Sequence, residues 1–161
     1  MGDEVVRGGN GADLNQQIET MGTRSLTKII SKWEDEQGKT HKRPIACMYR
    51  QYDGYLEGHG LDLAQFLEPI KMVSGLSGND QRKVANGMDC LSAQLIAHFK
   101  DGAGNIYLMH PDTKDVWEDF LYEVEKNDKG KFVVTVSDYN KIVIFKGSVK
   151  ELIKTIDKIN K

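Results

Sequence analysis

Hydrophobic positions change their period along this chain, and the changes mark out its elements. Arg24 to Trp33, with apolar weight at Leu26, Ile29 and Ile30, predicts a first strand, and Pro44 to Tyr52 predicts a second. The polar stretch Glu34 to His41 between them contains Gly38 and is short enough to close a hairpin. Leu61 to Met72 then places Leu63, Phe66, Leu67 and Ile70 at i, i+3, i+4 and i+7, the stripe of an amphipathic helix. Pro69 kinks that helix or ends it early. Ser74 to Asn86 is the longest polar connection and a candidate lid or loop. Met88 to Lys100 predicts a second helix, with Leu91, Leu95, Ile96 and Phe99 inward and Asp101-Gly102 as its stop.

Beyond this point the period falls to two. Asn105 to His110 reads as a short strand broken by Pro111. Trp117 to Lys126, Lys131 to Ser137 and Lys141 to Lys146 read as a three-stranded meander, its turns at Asn127–Gly130 and Asp138–Asn140 built from residues that tolerate positive φ. Ser148 and Glu151 form an S-x-x-E capping box, and Val149, Leu152, Ile153, Ile156 and Ile159 form the stripe of a last helix. The order ββααββββα predicts an α+β fold: a mostly antiparallel sheet of about six strands, with two central helices and a C-terminal helix mainly on one face.

Residues 1–20 have four glycines, few large apolar residues and no sustained period, and a second Met-Gly pair at Met21-Gly22 opens the patterned region. We therefore expect an N-terminal extension over 1–20 and a single domain over 21–161. A chain of 161 residues is long enough for one such core. Its net charge of -2 does not mark a polyanion-binding protein, although six lysines follow residue 140 against Glu151 and Asp157 alone. That excess reads as the solvated face of the last helix. Cys47 and Cys90 lack a CxxC spacing and sit among apolar residues, as expected of buried thiols in a reducing cytoplasm. No run reaches the length of a membrane span, so a soluble, cytoplasmic protein is expected.

The densest chemistry lies in Tyr49-Arg50-Gln51-Tyr52-Asp53-Gly54-Tyr55-Leu56-Glu57-Gly58-His59-Gly60, where a strand delivers a loop to a helix. Arg50 offers a planar fork for carboxylate or phosphate, and Tyr52 and Tyr55 offer stacking faces. Arg50 either contacts a ligand or pairs with Asp53 or Glu57 to order the loop, and the pairing is preferred. The glycines either admit a ligand to the backbone before the helix N-terminus or only satisfy the turn. Their spacing matches neither the Walker A nor the dinucleotide fingerprint. His59, expected exposed at the helix entrance, either caps the helix or acts as general acid or base with Asp53 or Glu57; no partner nucleophile is evident.

Arg24 and Ser25, at the start of the first strand, come beside Tyr52 and Asp53 if the hairpin forms, and they either serve a polar or phosphorylated ligand there or are an ordinary strand start. Asn86 or Asp89 caps the second helix and leaves Cys90 in its first turn, where a buried structural thiol is the preferred reading. Trp33 and Trp117 either contact a partner or pack at strand ends, and the packing is preferred. His41, His98 and His110 give no metal-ligand spacing with His59, so neither metal nor cofactor is expected.

The stretches Met21–Thr27 (MGTRSLT), Met48–Gly60 (MYRQYDGYLEGHG) and Ala85–Ala97 (ANGMDCLSAQLIA) resemble an uncharacterised family of small phage and prokaryotic proteins, the likeness covering about 21–125. Its members typically begin near the first motif, which agrees with an extension over 1–20. Leu56 stands where relatives often have proline, and Asp89 where glycine is common. The resemblance implies a phage-type accessory protein and no established activity.

The leading expectation is a protein that binds a small polar or phosphorylated ligand, nucleotide-derived in one version, sequestering a host defence signal. Its candidate contacts are Arg24, Ser25, Arg50, Tyr52, Asp53, Tyr55, Glu57, His59 and Asn86. One alternative is a hydrolase or phosphodiesterase using His59 with Asp53 or Glu57. Another is an inhibitor or adaptor that meets a host protein through the Ser74–Asn86 loop or the basic last helix. Homo-oligomerisation stays open.

Overall fold

The computed structural model describes residues 22–75 and 83–160. The expected extension over 1–20 and the centre of the candidate lid lie outside them.

The fold is α+β. Strands β1 (Ser25–Glu34) and β2 (Thr40–Arg50) form the expected hairpin, and β5 (Ile106–Met109), β6 (Phe120–Lys126), β7 (Phe132–Asp138) and β8 (Val143–Ser148) join them in one sheet. The strand order is β5-β2-β1-β6-β7-β8, antiparallel except where β1 runs parallel to β6. That parallel pair needs a long crossover, and everything from β2 to β6, including two helices and β5, is contained in it. Helix α1 (Leu61–Leu67) is shorter than its stripe predicts. One π-helical turn, Leu56–Gly60, precedes it and Pro69 follows it. The short strands β3 (Lys71–Val73) and β4 (Val84–Asn86) pair in parallel and lead into α2 (Gly87–Phe99).

Helix α3 (Val149–Ile159) starts at the capping box, with Ser148 and Glu151 each accepting the other's backbone N–H. Its residues Val149, Leu152 and Ile156 are buried, and Ile153 packs on the core as a partly buried residue. Helix α2 lies on β1 and β2, α3 on β7 and β8, and α1 against α3. The core fills the space between: Ile29, Ala46, Met48, Tyr122, Val124, Val134 and Val136 from the sheet meet Leu63, Leu67, Leu91, Leu95, Leu152 and Ile156 from the helices. Alternation along the strands sends Arg24, Leu26 and Lys28 to the opposite face. There the connection from β5 at the sheet edge to β6 must cross β2 and β1. No helix among the described residues is long and apolar enough to cross a membrane.

Candidate functional site

The Tyr49–Gly60 segment is tied into the protein through its backbone. Ser25 pairs with Arg50 across the hairpin, so Thr23–Ser25 does come beside Tyr52–Gly54 as expected. The loop's backbone groups are engaged within the protein: Gln51 N–H donates to Asn105 O, Tyr52 N–H to Asn105 Oδ1, Gly54 N–H to Thr23 O and His59 N–H to Asp53 O. The Tyr122 hydroxyl donates to Gly54 O at 2.7 Å. Asp53 takes φ +60° at the turn. Two glycines are required by close packing: a Cβ on Gly58 would lie 2.4 Å from Asp53 O, and one on Gly54 would lie 2.8 Å from both Ser25 Cβ and Thr23 O.

His59 is 0% exposed, which corrects the expectation of an exposed residue at the helix entrance. The π turn's i→i+5 bonds, Gly60 N–H to Tyr55 O and Leu61 N–H to Leu56 O, bring the ring inward onto Tyr122 and Phe99, with centroids 4.9 and 5.1 Å away. Arg50 Nη1 lies 3.0 Å from His59 Nδ1, and Thr27 Oγ1 lies 2.7 Å from His59 Nε2. Arginine only donates, so Nδ1 accepts and Nε2 carries the proton. Burial and the adjacent guanidinium push the imidazole pKa down to about 3. Arg50, its side chain 12% exposed, also donates to Tyr52 O at 2.7 Å and pairs with Asp62 at 3.1 Å. Its carboxylate partner is thus Asp62, on α1, in place of the expected Asp53 or Glu57.

A neutral imidazole with both nitrogens engaged and no solvent access does not serve as a general acid or base. Tyr52, Asp53, Tyr55 and Glu57 are exposed around this cluster. Ser25 is buried with its hydroxyl unpartnered among the described residues.

Two expected members of the site are elsewhere. Asn86 stands at the N-terminal end of α2, whereas Phe99 at the other end touches His59. A helix of 13 residues separates them by roughly 20 Å. The Asn86 side chain makes no helix cap and accepts from Gly75 N–H at 2.7 Å. Cys90 is part-buried against the core beside it, and burial raises the Cys47 thiol to about 11. Arg24 belongs to the opposite face of the sheet from Arg50, because its neighbour Ser25 shares Arg50's face.

That opposite face carries a cleft of about 670 Å³. Its floor holds Leu26, Lys28, Leu121 and Ser137. Thr113–Glu118 of the crossing connection form one wall, and Asp138, Tyr139 and Lys141 of the β7–β8 turn the other. An Asp115–Lys141 ion pair links the walls. Trp117 is 82% exposed, which corrects the reading of strand-end packing. It precedes β6, which starts only at Phe120, and takes φ +67°, a conformation rare for a bulky side chain. Lys28 is 9% exposed and, among the described residues, has no hydrogen-bond or ion-pair partner. Sequence reasoning missed this cleft. The signal available was a lysine inside the apolar run Leu26–Ile30. Among the described residues no cluster of side chains suits a metal ion.

No family model matches the chain, and no curated protein or solved structure matches it.

Proposed function

We propose that this protein binds a small polar ligand, without turning it over, in the cleft on the helix-free face of the sheet. The observation that carries the reading is Lys28, a lysine 9% exposed in the floor of a ligand-sized cleft and without a partner among the described residues. The exposed Trp117 on one wall supports it with a stacking face. Arg24 lines the same cleft and is the expected contact that this reading retains, while Arg50 and His59 take the role of scaffold.

The setting we propose is a phage-type accessory protein in the host cytoplasm that sequesters a nucleotide-derived signal. It rests on the three motifs quoted above and on the combination of cation and aromatic ring in the cleft. A thermal-shift screen with nucleotides and cyclic nucleotide signals tests it. A binder at a hundred times its Kd stabilises the fold by about 2.7 kcal/mol, and Trp117→Ala should cut that gain by about half or more. A folded protein that no member of the screen stabilises overturns the reading.

A second reading, docking of a partner protein, is favoured by a different observation. Among the described residues β8 ends the sheet with an unpaired edge; Val143 and Ile144 along it, and Ile142 just before it, are exposed. Pulldown from host lysate with wild type and Ile144→Lys tests it: a partner captured by both proteins equally rules the edge out.

A further inference from the structure

Resting on the cleft as a ligand site, we infer that its ligand is a planar ring bearing one compact anionic group, with the anion on Lys28 and the ring on Trp117. The charges lining the cleft decide the sign. Asp115 is paired with Lys141, Glu118 accepts from Val116 N–H at 2.9 Å, and Asp119 accepts from Arg24 N–H at 3.0 Å. Asp138 accepts from Asn140 N–H at 2.9 Å and Ile142 N–H at 3.1 Å. Every carboxylate on the walls thus has a donor within the protein. Of the four lining cations, Lys141 is held by Asp115, whereas Arg24, Lys28 and Lys114 form no ion pair among the described residues. The neighbours of Lys28 in register are Cys47 on β2 and Glu123 on β6, and the Glu123 carboxylate makes no ion pair with it. The unmet capacity of the cleft is therefore cationic, and Lys28 is its member at the floor. The Lys28 stem is buried and its ammonium opens into the cleft, where an anion can reach it, and Ser137, 7% exposed, adds a hydroxyl in the Leu26–Leu121 row of the floor.

The walls select the rest of the ligand. Trp117 and Tyr139 stand on opposite walls, 82% and 70% exposed, so both rings are accessible. Planar rings stack on such faces with little regard to sequence or substituent. The four lining carboxylates balance the four lining cations, so the cleft has no net positive charge to hold a polyphosphate and one compact anionic group suits it.

Titration of Trp117 fluorescence tests this, with Trp33→Phe removing the other of the two tryptophans. The probes are AMP, ADP, adenosine, ribose 5-phosphate and indole-3-acetate. AMP or indole-3-acetate should bind at least about tenfold tighter than adenosine, the difference a charged hydrogen bond supplies. Which of the two binds tells phosphate from carboxylate. Ribose 5-phosphate and ADP should bind more weakly than AMP. Lys28→Met should abolish the preference for the anion while adenosine binding persists, and Lys28→Arg should keep it. Trp117→Ala, on the surface, should weaken AMP about ten- to a hundredfold, read by calorimetry. Adenosine binding as tightly as AMP, or an anion preference surviving Lys28→Met, overturns this inference and leaves the cleft as a ligand site. No binding of any probe by a folded protein overturns both.

Discussion

Arg50 donates to Nδ1 of His59, and that one contact, 3.0 Å long, assigns the imidazole proton to Nε2 and aims it at the Thr27 hydroxyl. Three elements are tied at this point: β1 through Thr27, β2 through Arg50 and the π turn through His59. Asp62 and the carbonyl of Tyr52 take the remaining guanidinium bonds. The cluster explains why so much chemistry is concentrated between Tyr49 and Gly60. The residues that look reactive in sequence fasten the sheet to α1.

Acid should loosen this fastening before it affects most carboxylates. The folded imidazole has its pKa lowered from an ordinary 6.5 to about 3, so its contribution is fully present above 6.5 and is lost as pH falls toward 3. Hydrogen bonds from the Ser148 backbone and side chain lower the Glu151 pKa below its ordinary 4.5, so its contribution fades only at more acid pH. Urea unfolding of wild type should weaken by up to one proton's slope between pH 6.5 and 4.5, and His59→Gln should be flatter over that window. Equal slopes in the two proteins would refute the assignment.

Arg50→Lys keeps the charge and loses the fork. Lysine cannot reach Tyr52 O, His59 Nδ1 and Asp62 together, so we expect a loss of about 2–4 kcal/mol in urea unfolding. Thr27→Val, of similar shape, leaves Nε2–H without an acceptor and should cost about 1–3 kcal/mol. A double mutant that costs clearly less than the sum would show that the two act through the same ring.

The glycines rank by what a methyl would meet. Gly58→Ala puts Cβ 2.4 Å from a carbonyl oxygen and should be the most damaging, at about 2 kcal/mol or more, followed by Gly54→Ala at 2.8 Å. Gly60→Ala meets Leu56 Cδ2 and the Tyr122 hydroxyl at 3.3 Å in a helical conformation and should be the mildest. Melting temperatures of the three variants test the order, and Gly60→Ala as the worst would contradict the geometry.

Ser148→Ala removes one half of the capping box on α3 and should cost about 1 kcal/mol. Lys141→Ala, by contrast, breaks a solvent-exposed pair and should leave the melting temperature where it was. A large loss for Lys141→Ala would mean that the bridge across the cleft holds the crossing connection in place.

Local signals predicted the elements well. The hairpin of β1 and β2, the meander β6–β8 and the Ser148–Glu151 box each depend on residues close in sequence, and each formed. Boundaries moved where tertiary packing intervened. β2 starts at Thr40 rather than Pro44, and the predicted helix from Leu61 stops at Leu67 because Pro69 follows. The site was less legible, since it depends on which face each strand residue takes. Arg24 and Arg50 share one sheet end and are separated by the sheet itself, a consequence of the Ser25–Arg50 register. Asn86 could not be placed without knowing which end of α2 reaches the loop. His59 looked exposed because its flanking glycines resemble a surface turn, whereas a π turn directs it inward.

Keeping all three helices on one side of the sheet has a bearing on how this protein can diversify. Both walls of the cleft are connections, Thr113–Glu118 and Asp138–Lys141, and neither contributes a side chain to the helix-side core. Recognition can therefore be rewritten by mutation in those two segments while the Thr27–His59–Arg50 fastening stays fixed. A randomised library confined to them should yield mostly folded members, the property that makes a scaffold useful for selecting new binders.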